Sequence, residues 1–292
     1  MKHPALHRWL TAVAAVTLMT GIAAAPAAAE TQPPGANDWS CKPSAAHPNP
    51  VVLVHGTGGT AALNWMTLSP MLAREGYCVF SFEYGATMIS AGVFYGLGDI
   101  PTSARTMATF VDKVLETTGA AKVDVVGHSQ GGGMLPNYYI KRLGGAAKVR
   151  TLVGMAPSNH GTTSHGLGNL VNALGLMGLT GNLYQFLQMP ALTQQVIGSP
   201  VATELYADGD TVPGVRYVVI QTRKDLVITP YTQAFLNGDD VTNILLQDQC
   251  PDNPVGHIGL FLDSPTMQNI LNALGPNTPD FKPTCTGYGP IL

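Results

Sequence analysis

Short runs of apolar, mostly β-branched residues recur along the chain, and between them apolar residues follow a helical spacing. Such runs, bounded by glycine and polar turns, are typical of strands buried in a parallel sheet. They predict strands over Val51–Val54, 77–82, 122–126, Val149–Met155 and 215–221. The intervening pattern predicts helices over 65–75, 103–118 and 132–143, and a last helix that ends at Leu274. This alternation predicts a mostly parallel central sheet flanked by helices.

Glycine and proline mark the limits of these helices. Gly119 and the pair Gly144-Gly145 stand where two of the helical patterns stop, as expected for residues that end a helix. Pro136 would cost a hydrogen bond inside a helix, so we expect it in the first turns or at a bend.

The stretch 159–203 differs from the rest of the chain because it contains no Lys, Arg, Asp or Glu and is rich in glycine and leucine. It is too long for a plain connection between two strands. Near-helical spacing relates Leu167, Leu170, Leu174 and Met177. We interpret the stretch as an insertion above the sheet of a single domain, since no internal repeat or low-complexity linker divides the chain.

Composition narrows the range of partners. The chain has 292 residues, of which 45% are hydrophobic, and this is enough for one sizeable core. Its formal net charge is only -3 and its basic residues form no cluster, so the sequence disfavours a nucleic acid partner. Low charge together with 33 Gly and 22 Pro suits a loop-rich, neutral surface that can contact apolar material.

The N-terminus has the pattern of an export signal. Lys2 and Arg8 precede an apolar run over 10–22, and small residues at 27–29 are suited to cleavage. We expect residues 1–29 to be removed and residues 30–292 to be secreted as an extracellular protein. The alternative is a membrane anchor, but the run is short and is interrupted by threonine and glycine.

Four cysteines remain in the predicted mature chain, at Cys41, Cys78, Cys250 and Cys285. An exported chain matures where thiols oxidise, so two disulfides are expected in preference to free buried thiols. Of three possible pairings we favour Cys41 with Cys78 and Cys250 with Cys285, which join each cysteine to its nearest neighbour. Each bond would stabilise the fold by roughly 3 to 4 kcal/mol. No CxxC or HExxH motif occurs, and thus neither redox nor zinc chemistry is indicated.

The predicted strand 122–126 runs directly into Gly127-His128-Ser129-Gln130-Gly131, a GxSxG motif. Between a strand and a helix, this motif forces the serine into a strained, exposed turn, the nucleophile elbow of the α/β-hydrolase fold. A plain Gly-Ser turn is the alternative, but the required strand and glycine-rich helix start are both present. We therefore predict that Ser129 is a nucleophile.

Attack on a carbonyl also needs donors for the oxyanion that forms. The backbone N–H of Gln130, at the start of the following helix, is well placed for this task. The second donor is expected from 55–59, at the end of the first strand, and we assign it to the Thr57 backbone with Gly58 as the rival.

In this fold the acid follows the serine and the histidine follows the acid. Asp225 lies just beyond the strand 215–221, and His257 is the one histidine after it. These residues predict a Ser129, Asp225 and His257 triad, in which the imidazole takes the serine proton and the carboxylate orients the ring. The competing acids occur in turn-like contexts that favour solvated or capping roles: Asp208, Asp210, Asp239, Asp240, Asp248 and Asp252. The other histidines have structural interpretations: His55, His128, His160 and His165.

These motifs resemble the secreted bacterial lipases often grouped as class 2, which are common among actinobacteria. The resemblance spans most of the mature chain and rests on 39–41, 50–59, 123–133, 159–162, 225–231 and 256–260. It implies hydrolysis of carboxylic esters, including acylglycerols, by Ser129, Asp225 and His257 without a cofactor. In such enzymes the insertion varies and sets substrate size. The stretch 159–203 has two interpretations: a lipid-facing cap over an acyl pocket, or an ordinary buried helical layer.

We therefore expect a lipase or esterase of the α/β-hydrolase fold with an apolar cap insertion, acting on neutral esters and contacting a lipid interface transiently. No cofactor and no metal site are indicated, and a monomer is expected, although the sequence does not set the oligomeric state. The alternatives are an acyltransferase or polyester hydrolase with the same triad. A non-catalytic secreted binding module is a more remote alternative, disfavoured because all three triad residues occur in the right order.

Overall fold

A parallel sheet of six strands forms the centre of the protein in the computed structural model, which describes residues 32–90, 92–175 and 188–291. The strands are β1 (Val51–Val54), β2 (Val79–Ser81), β3 (Val123–His128), β4 (Val149–Met155), β5 (Arg216–Gln221) and β6 (Val241–Leu245). Their order across the sheet is β2-β1-β3-β4-β5-β6, and every neighbouring pair is parallel. The predicted strands are confirmed with small shifts in their limits. Strand β6 was not predicted, because its partly exposed, polar residues at the sheet edge form no apolar run.

Nine α-helices occupy the described parts of the chain, and several differ in their limits from the prediction. They are α1 (Ala61–Trp65), α2 (Leu68–Arg74), α3 (Ile100–Thr118), α4 (Met134–Arg142), α5 (Ser164–Ala173), α6 (Pro190–Gln194), α7 (Pro200–Tyr206), α8 (Leu246–Gln249) and α9 (Ser264–Leu274). The predicted helix 65–75 corresponds to α2, and α1, which ends at Trp65, was not predicted.

The limits of α3 and α4 follow from local chemistry. Helix α3 begins earlier than predicted because the Asp99 side chain accepts a hydrogen bond from the Thr102 N–H, and it ends at Gly119 in the left-handed conformation. Pro136 lies in the first turn of α4, where backbone N–H groups have no intrahelical acceptor. The N–H that proline lacks therefore costs no hydrogen bond there.

Both faces of the sheet are covered by helices. Val52 and Val54 point to the side where α3 and α4 pack, whereas Val51 and Leu53 point to the side of α2 and α9. Side chains alternate between the two faces along each strand, so a strand that is covered on both faces, such as β1, has a continuous apolar run in the sequence.

The strand order places two loops side by side. The chain moves from β1 outward to β2 and from β3 in the opposite direction to β4, so a crevice forms between the carboxyl ends of β1 and β3. Val54, the last residue of β1, is in register with Gly127 of β3. The segments that follow these two strands therefore meet at one edge of the sheet.

Two disulfides hold the periphery of the domain. Cys41 is bonded to Cys78 and Cys250 to Cys285, which is the pairing favoured from the sequence, and no free cysteine occurs in the described chain. The second bond ties the C-terminal segment to the loop that leads to His257. Among the described residues, no helix has both the length and the apolar character needed to cross a membrane.

The described parts of 159–203 show two kinds of packing. Met189 and Leu192 are buried in the core beside α3, as expected of a helical layer, whereas the C-terminal half of α5 faces a cavity described below. Met177 and the export signal at 1–29 lie outside the described residues. Helix α7 continues past the predicted limit of the insertion at 203, because that limit marked only the last uncharged position.

Candidate active site

Ser129 lies at the sharp turn between β3 and the short 3-10 helix Ser129–Gly132. Its φ of 55° is in the left-handed region, which a non-glycine residue adopts only under strain. The turn requires the two flanking glycines of the motif. A Cβ on Gly127 would lie 1.8 Å from the Gly131 carbonyl oxygen, and one on Gly131 would lie 2.2 Å from the His55 carbonyl oxygen. The elbow expected from the sequence is thus present.

Asp225 and His257 are joined by a hydrogen bond within the same edge of the sheet. The His257 Nδ1 lies 2.9 Å from Asp225 Oδ2, and both side chains are buried. The other carboxylate oxygen, Oδ1, accepts hydrogen bonds of 2.8 Å from the backbone N–H groups of Val227 and Ile228. Because a carboxylate only accepts, Nδ1 carries a proton, and in the neutral imidazole Nε2 has the lone pair.

Ser129 and His257 both line one cavity of about 290 Å³. Ser129 Oγ and His257 Nε2 are buried, and neither atom has a hydrogen-bond partner among the described residues. No hydrogen bond joins them to each other here; catalytic hydrogen bonds are often long without substrate and tighten when it binds. The structure therefore places Ser129 and His257 on one cavity, and Asp225 is hydrogen-bonded to the imidazole of His257.

The cavity is lined by uncharged side chains apart from its histidines. Leu63 comes from α1, Leu170 and Ala173 from α5, and Phe261 from the segment after His257. Leu174 packs so closely on the loop after β1 that a Cβ on Gly58 would lie 2.4 Å from its Cδ1. No Lys, Arg, Asp or Glu lines this cavity within the described chain, so it suits a neutral, apolar group.

The loop after β1 contains Thr57 and Gly58, the two candidates for the second oxyanion donor beside Gln130. The N–H of Gly58, the rival donor, is already bonded to the Tyr95 carbonyl at 2.8 Å. In the described parts of the chain, neither the Thr57 N–H nor the Gln130 N–H has an acceptor in the surrounding loops. These two amides, at the ends of adjacent strands, are the ones available to an oxyanion.

Two amide side chains hold Thr57 in place. Gln130 Nε2 and Gln195 Nε2 each donate to the Thr57 hydroxyl at 2.9 Å. The contribution of Gln195 was missed in the sequence analysis, because this residue follows α6, far along the chain, and no motif marks it. The Gln130 side chain thus supports the loop that contains Thr57.

The competing acids have other partners or are exposed. Asp208 pairs with Lys141 and Arg142, whose hydrogen bonds lower the pKa of that carboxyl. Asp210 pairs with His160, and Asp248 pairs with Arg223. The remaining three are exposed at the surface: Asp239, Asp240 and Asp252. None of the six lines the cavity that contains Ser129.

The other two histidines near the site, His55 and His128, are buried. His55 Nε2 lies 2.9 Å from a carboxylate oxygen of Glu83, and its ring stacks on Tyr84 at 4.3 Å. His128 Nε2 lies 2.9 Å from the His257 carbonyl oxygen. Both histidines were predicted to be structural, but their partners lie on distant segments and could not be predicted.

Comparisons with known proteins identify the family and the fold of the chain. The family model described as lipase (class 2) matches residues 48–250. The structure is similar to Aspergillus fumigatus lipase B, with a TM-score of 0.63 and 19% identity over 85% of this chain and 57% of that one. It is also similar to the mature form of Bacillus licheniformis lipase BlEst2, with a TM-score of 0.57 and 15% identity over 80% of this chain and 94% of that one.

At such identities the similarity to the solved structures shows the fold, which is that of α/β-hydrolases, as predicted. The chain spans little more than half the length of the Aspergillus enzyme.

Proposed function

We propose that this chain, which belongs to the class 2 lipase family, is a secreted hydrolase of neutral carboxylic esters that acts through Ser129, His257 and Asp225. The family implies hydrolysis of the lipase or esterase type. The observation that carries the finer proposal is the 2.9 Å bond from His257 to Asp225, which leaves the Nε2 of that histidine free in the cavity of Ser129.

Acylation begins when His257 Nε2 takes the proton of Ser129 Oγ as that oxygen attacks the ester carbonyl. The carbonyl oxygen becomes an oxyanion, which accepts hydrogen bonds from the N–H groups of Thr57 and Gln130. When the intermediate collapses, the C–O bond to the alcohol breaks, and His257 returns the proton to the leaving alkoxide. The products of this half-reaction are an acyl-serine and a free alcohol.

Deacylation repeats these steps with water. His257 takes a proton from water as the oxygen attacks the acyl carbonyl, and it then returns the proton to Ser129 Oγ as the acyl bond breaks. The acid is released and the enzyme is restored. Asp225 keeps its charge throughout and stabilises the imidazolium, while the two backbone N–H groups that it binds hold it in place.

The cavity supports uncharged substrates. Its walls are formed by leucine, isoleucine and phenylalanine side chains, and burial of a charged acyl or alcohol group there would go uncompensated.

The exposed apolar side chains beside the site support transient contact with a lipid surface. Leu63 at the cavity, Leu226 after Asp225, and Leu262 after Phe261 are 63%, 64% and 39% exposed. Leu226→Ser is expected to lower the rate on an emulsified ester and to spare the rate on a dissolved one.

Secretion is supported by the two disulfides, which persist in oxidising compartments. The export signal stays a prediction from the sequence.

A series of p-nitrophenyl esters of increasing acyl length tests the proposal. The folded protein should release nitrophenol from esters of at least part of the series, and Ser129→Ala should abolish that release. An added alcohol acceptor separates hydrolysis from acyl transfer through the products. Absence of turnover with every ester, for protein shown to be folded, would refute the proposed function.

A further inference from the structure

His128, the residue before Ser129, has no part in the proposed chemistry, yet its ring is buried beside the base. Its Nε2 lies 2.9 Å from the carbonyl oxygen of His257. The two imidazole rings are 4.9 Å apart between centroids, and the Phe261 ring meets His128 edge-on at 5.4 Å. The contact links the elbow directly to the backbone of the base.

The partners of His128 define its tautomer. A carbonyl oxygen only accepts, so Nε2 carries the hydrogen and donates to the His257 carbonyl. Nδ1 then has the lone pair, which fits the Asn64 side-chain amide at 3.3 Å, a donor. Burial, and secondarily the neighbouring His257, lowers the pKa of His128 to about 3, so the ring stays neutral near neutral pH.

Asn64 extends this connection to the loop after β1. Its Oδ1 accepts from the Gly56 N–H at 3.4 Å while its Nδ2 faces His128. The donors therefore run in one direction, from Gly56 through Asn64 and His128 to His257. The last bond is the shortest of the three, and it is the one that acts on the base.

We propose that His128 is a positioning residue, which holds the backbone of His257 so that Nε2 of the base faces Ser129 Oγ. The proposal rests on the proposed function of this site. Asp225 holds the imidazole through one hydrogen bond only, and one bond leaves the ring free to swing with its own main chain. The bond from His128 fixes that main chain beside the nucleophile, while the Gly256 N–H bond to the Pro290 carbonyl holds the residue before it.

Two amide substitutions distinguish a positioning role of His128 from a role in which its ring only fills space. Gln places its amide N–H near the position of Nε2, so His128→Gln keeps the donor to the His257 carbonyl. Asn reaches only as far as Nδ1, so His128→Asn loses that donor although it is polar. Each variant is assayed on a dissolved p-nitrophenyl ester, and its rate is normalised to the sites that a phosphonate titrates.

We expect kcat to fall by about 10-fold to 100-fold in His128→Asn with KM unchanged, because a small displacement of a catalytic group costs this much. His128→Gln should retain most of the wild-type kcat. His47→Gln, which changes a histidine stacked on Tyr77 away from the site, is the matched control and should be unaffected. Equal kcat in the Gln and Asn variants would overturn the proposal.

Nitrogen-15 NMR of histidine-labelled protein gives a test that needs no activity and no variant that folds poorly. The His128 signals, assigned by their loss in His128→Gln, should show a protonated Nε2 and an unprotonated Nδ1 at neutral pH. The opposite tautomer, or an imidazolium, would refute the proposed bond. A wild-type protein that shows the expected tautomer but hydrolyses no ester would instead refute the proposed function.

Discussion

Asp225 and His257 are 32 residues apart in sequence, yet the carboxylate of one accepts a 2.9 Å hydrogen bond from the imidazole of the other. The first follows β5 and the second follows α8, and the parallel sheet brings both segments to the edge where β3 ends at Ser129. The charge of Asp225 holds the ring in the tautomer with a free Nε2. This relationship gives the first prediction.

Asp225→Asn should lower kcat by about 10⁴-fold, because the amide can turn its NH₂ toward the ring and select the tautomer that cannot accept the serine proton. Single-turnover kinetics on a p-nitrophenyl ester measures the effect. Asp248→Asn is the control, since this carboxylate pairs with Arg223 at the surface. An Asp225→Asn variant with wild-type kcat would exclude Asp225 as the orienting acid.

Gly127→Ala should prevent the elbow from forming, since the new Cβ would lie 1.8 Å from a backbone oxygen that cannot move freely. We expect the folded yield to drop and phosphonate labelling of the remaining protein to be lost. Gly168→Ala is the matched control, because Gly168 is an exposed residue of α5 with open space around its Cα. That variant should be as stable as the wild type or more stable by roughly 0.5 to 1 kcal/mol. If the phosphonate labelled Gly127→Ala at the wild-type rate, the claim that the turn at Ser129 requires glycine at position 127 would be contradicted.

The wall of the cavity that α5 provides should set the acyl length. Ala173→Phe adds a ring to a wall of the cavity, and we expect kcat/KM to fall most for the longest acyl chains. Leu174→Ala removes a side chain that covers Gly58, and it should shift the preference toward longer chains. Initial rates across the p-nitrophenyl series measure both. Parallel changes at every chain length would show that α5 does not bound the acyl site.

The neutral, buried state of His128 predicts a pH dependence of stability. Its pKa in the folded protein is lowered to about 3 by burial and by His257, below the unfolded value of about 6.5. The stability that it contributes is therefore fully present above pH 6.5 and is lost as pH falls from about 6.5 toward 3. Over this interval it lowers the free energy of unfolding by up to about 1.4 kcal/mol per pH unit.

Urea denaturation of wild type and His128→Gln across this range checks the sign. Because glutamine does not titrate, the variant should lose less stability than the wild type as the pH falls. Curves that stay parallel would mean that His128 is protonated in the folded state as readily as in the unfolded chain.

The structural features that could be predicted from the sequence are those that short segments of the chain determine by themselves. The apolar runs of β1 and β4 and the glycines around Ser129 encode local geometry, and the order of Ser129, Asp225 and His257 follows from the topology of the fold. The pairing of the cysteines followed from proximity in sequence. These signals need no knowledge of how distant loops pack.

The supporting contacts could not be predicted for the opposite reason. Asn64 of α1 contacts His128, and Gln195 after α6 contacts Thr57, only because these helices pack against segments that follow other strands. Neither amide belongs to a motif. Strand β6 escaped prediction because an exposed edge strand does not need an apolar run. The break between α1 and α2 was not predicted because the two helices bury apolar residues in the same core cluster, among them Trp65 and Leu68.

The most direct test of the proposed site is a crystal structure of the protein after reaction with an alkyl phosphonate ester, whose phosphorus resembles the tetrahedral intermediate. The proposal predicts a bond from Ser129 Oγ to phosphorus, with the phosphoryl oxygen accepting from the N–H groups of Thr57 and Gln130. His257 Nε2 should lie within hydrogen-bond distance of Ser129 Oγ, and the alkyl chain should lie against α5. An adduct on another residue, or an imidazole at position 257 that points away from the modified serine, would contradict it.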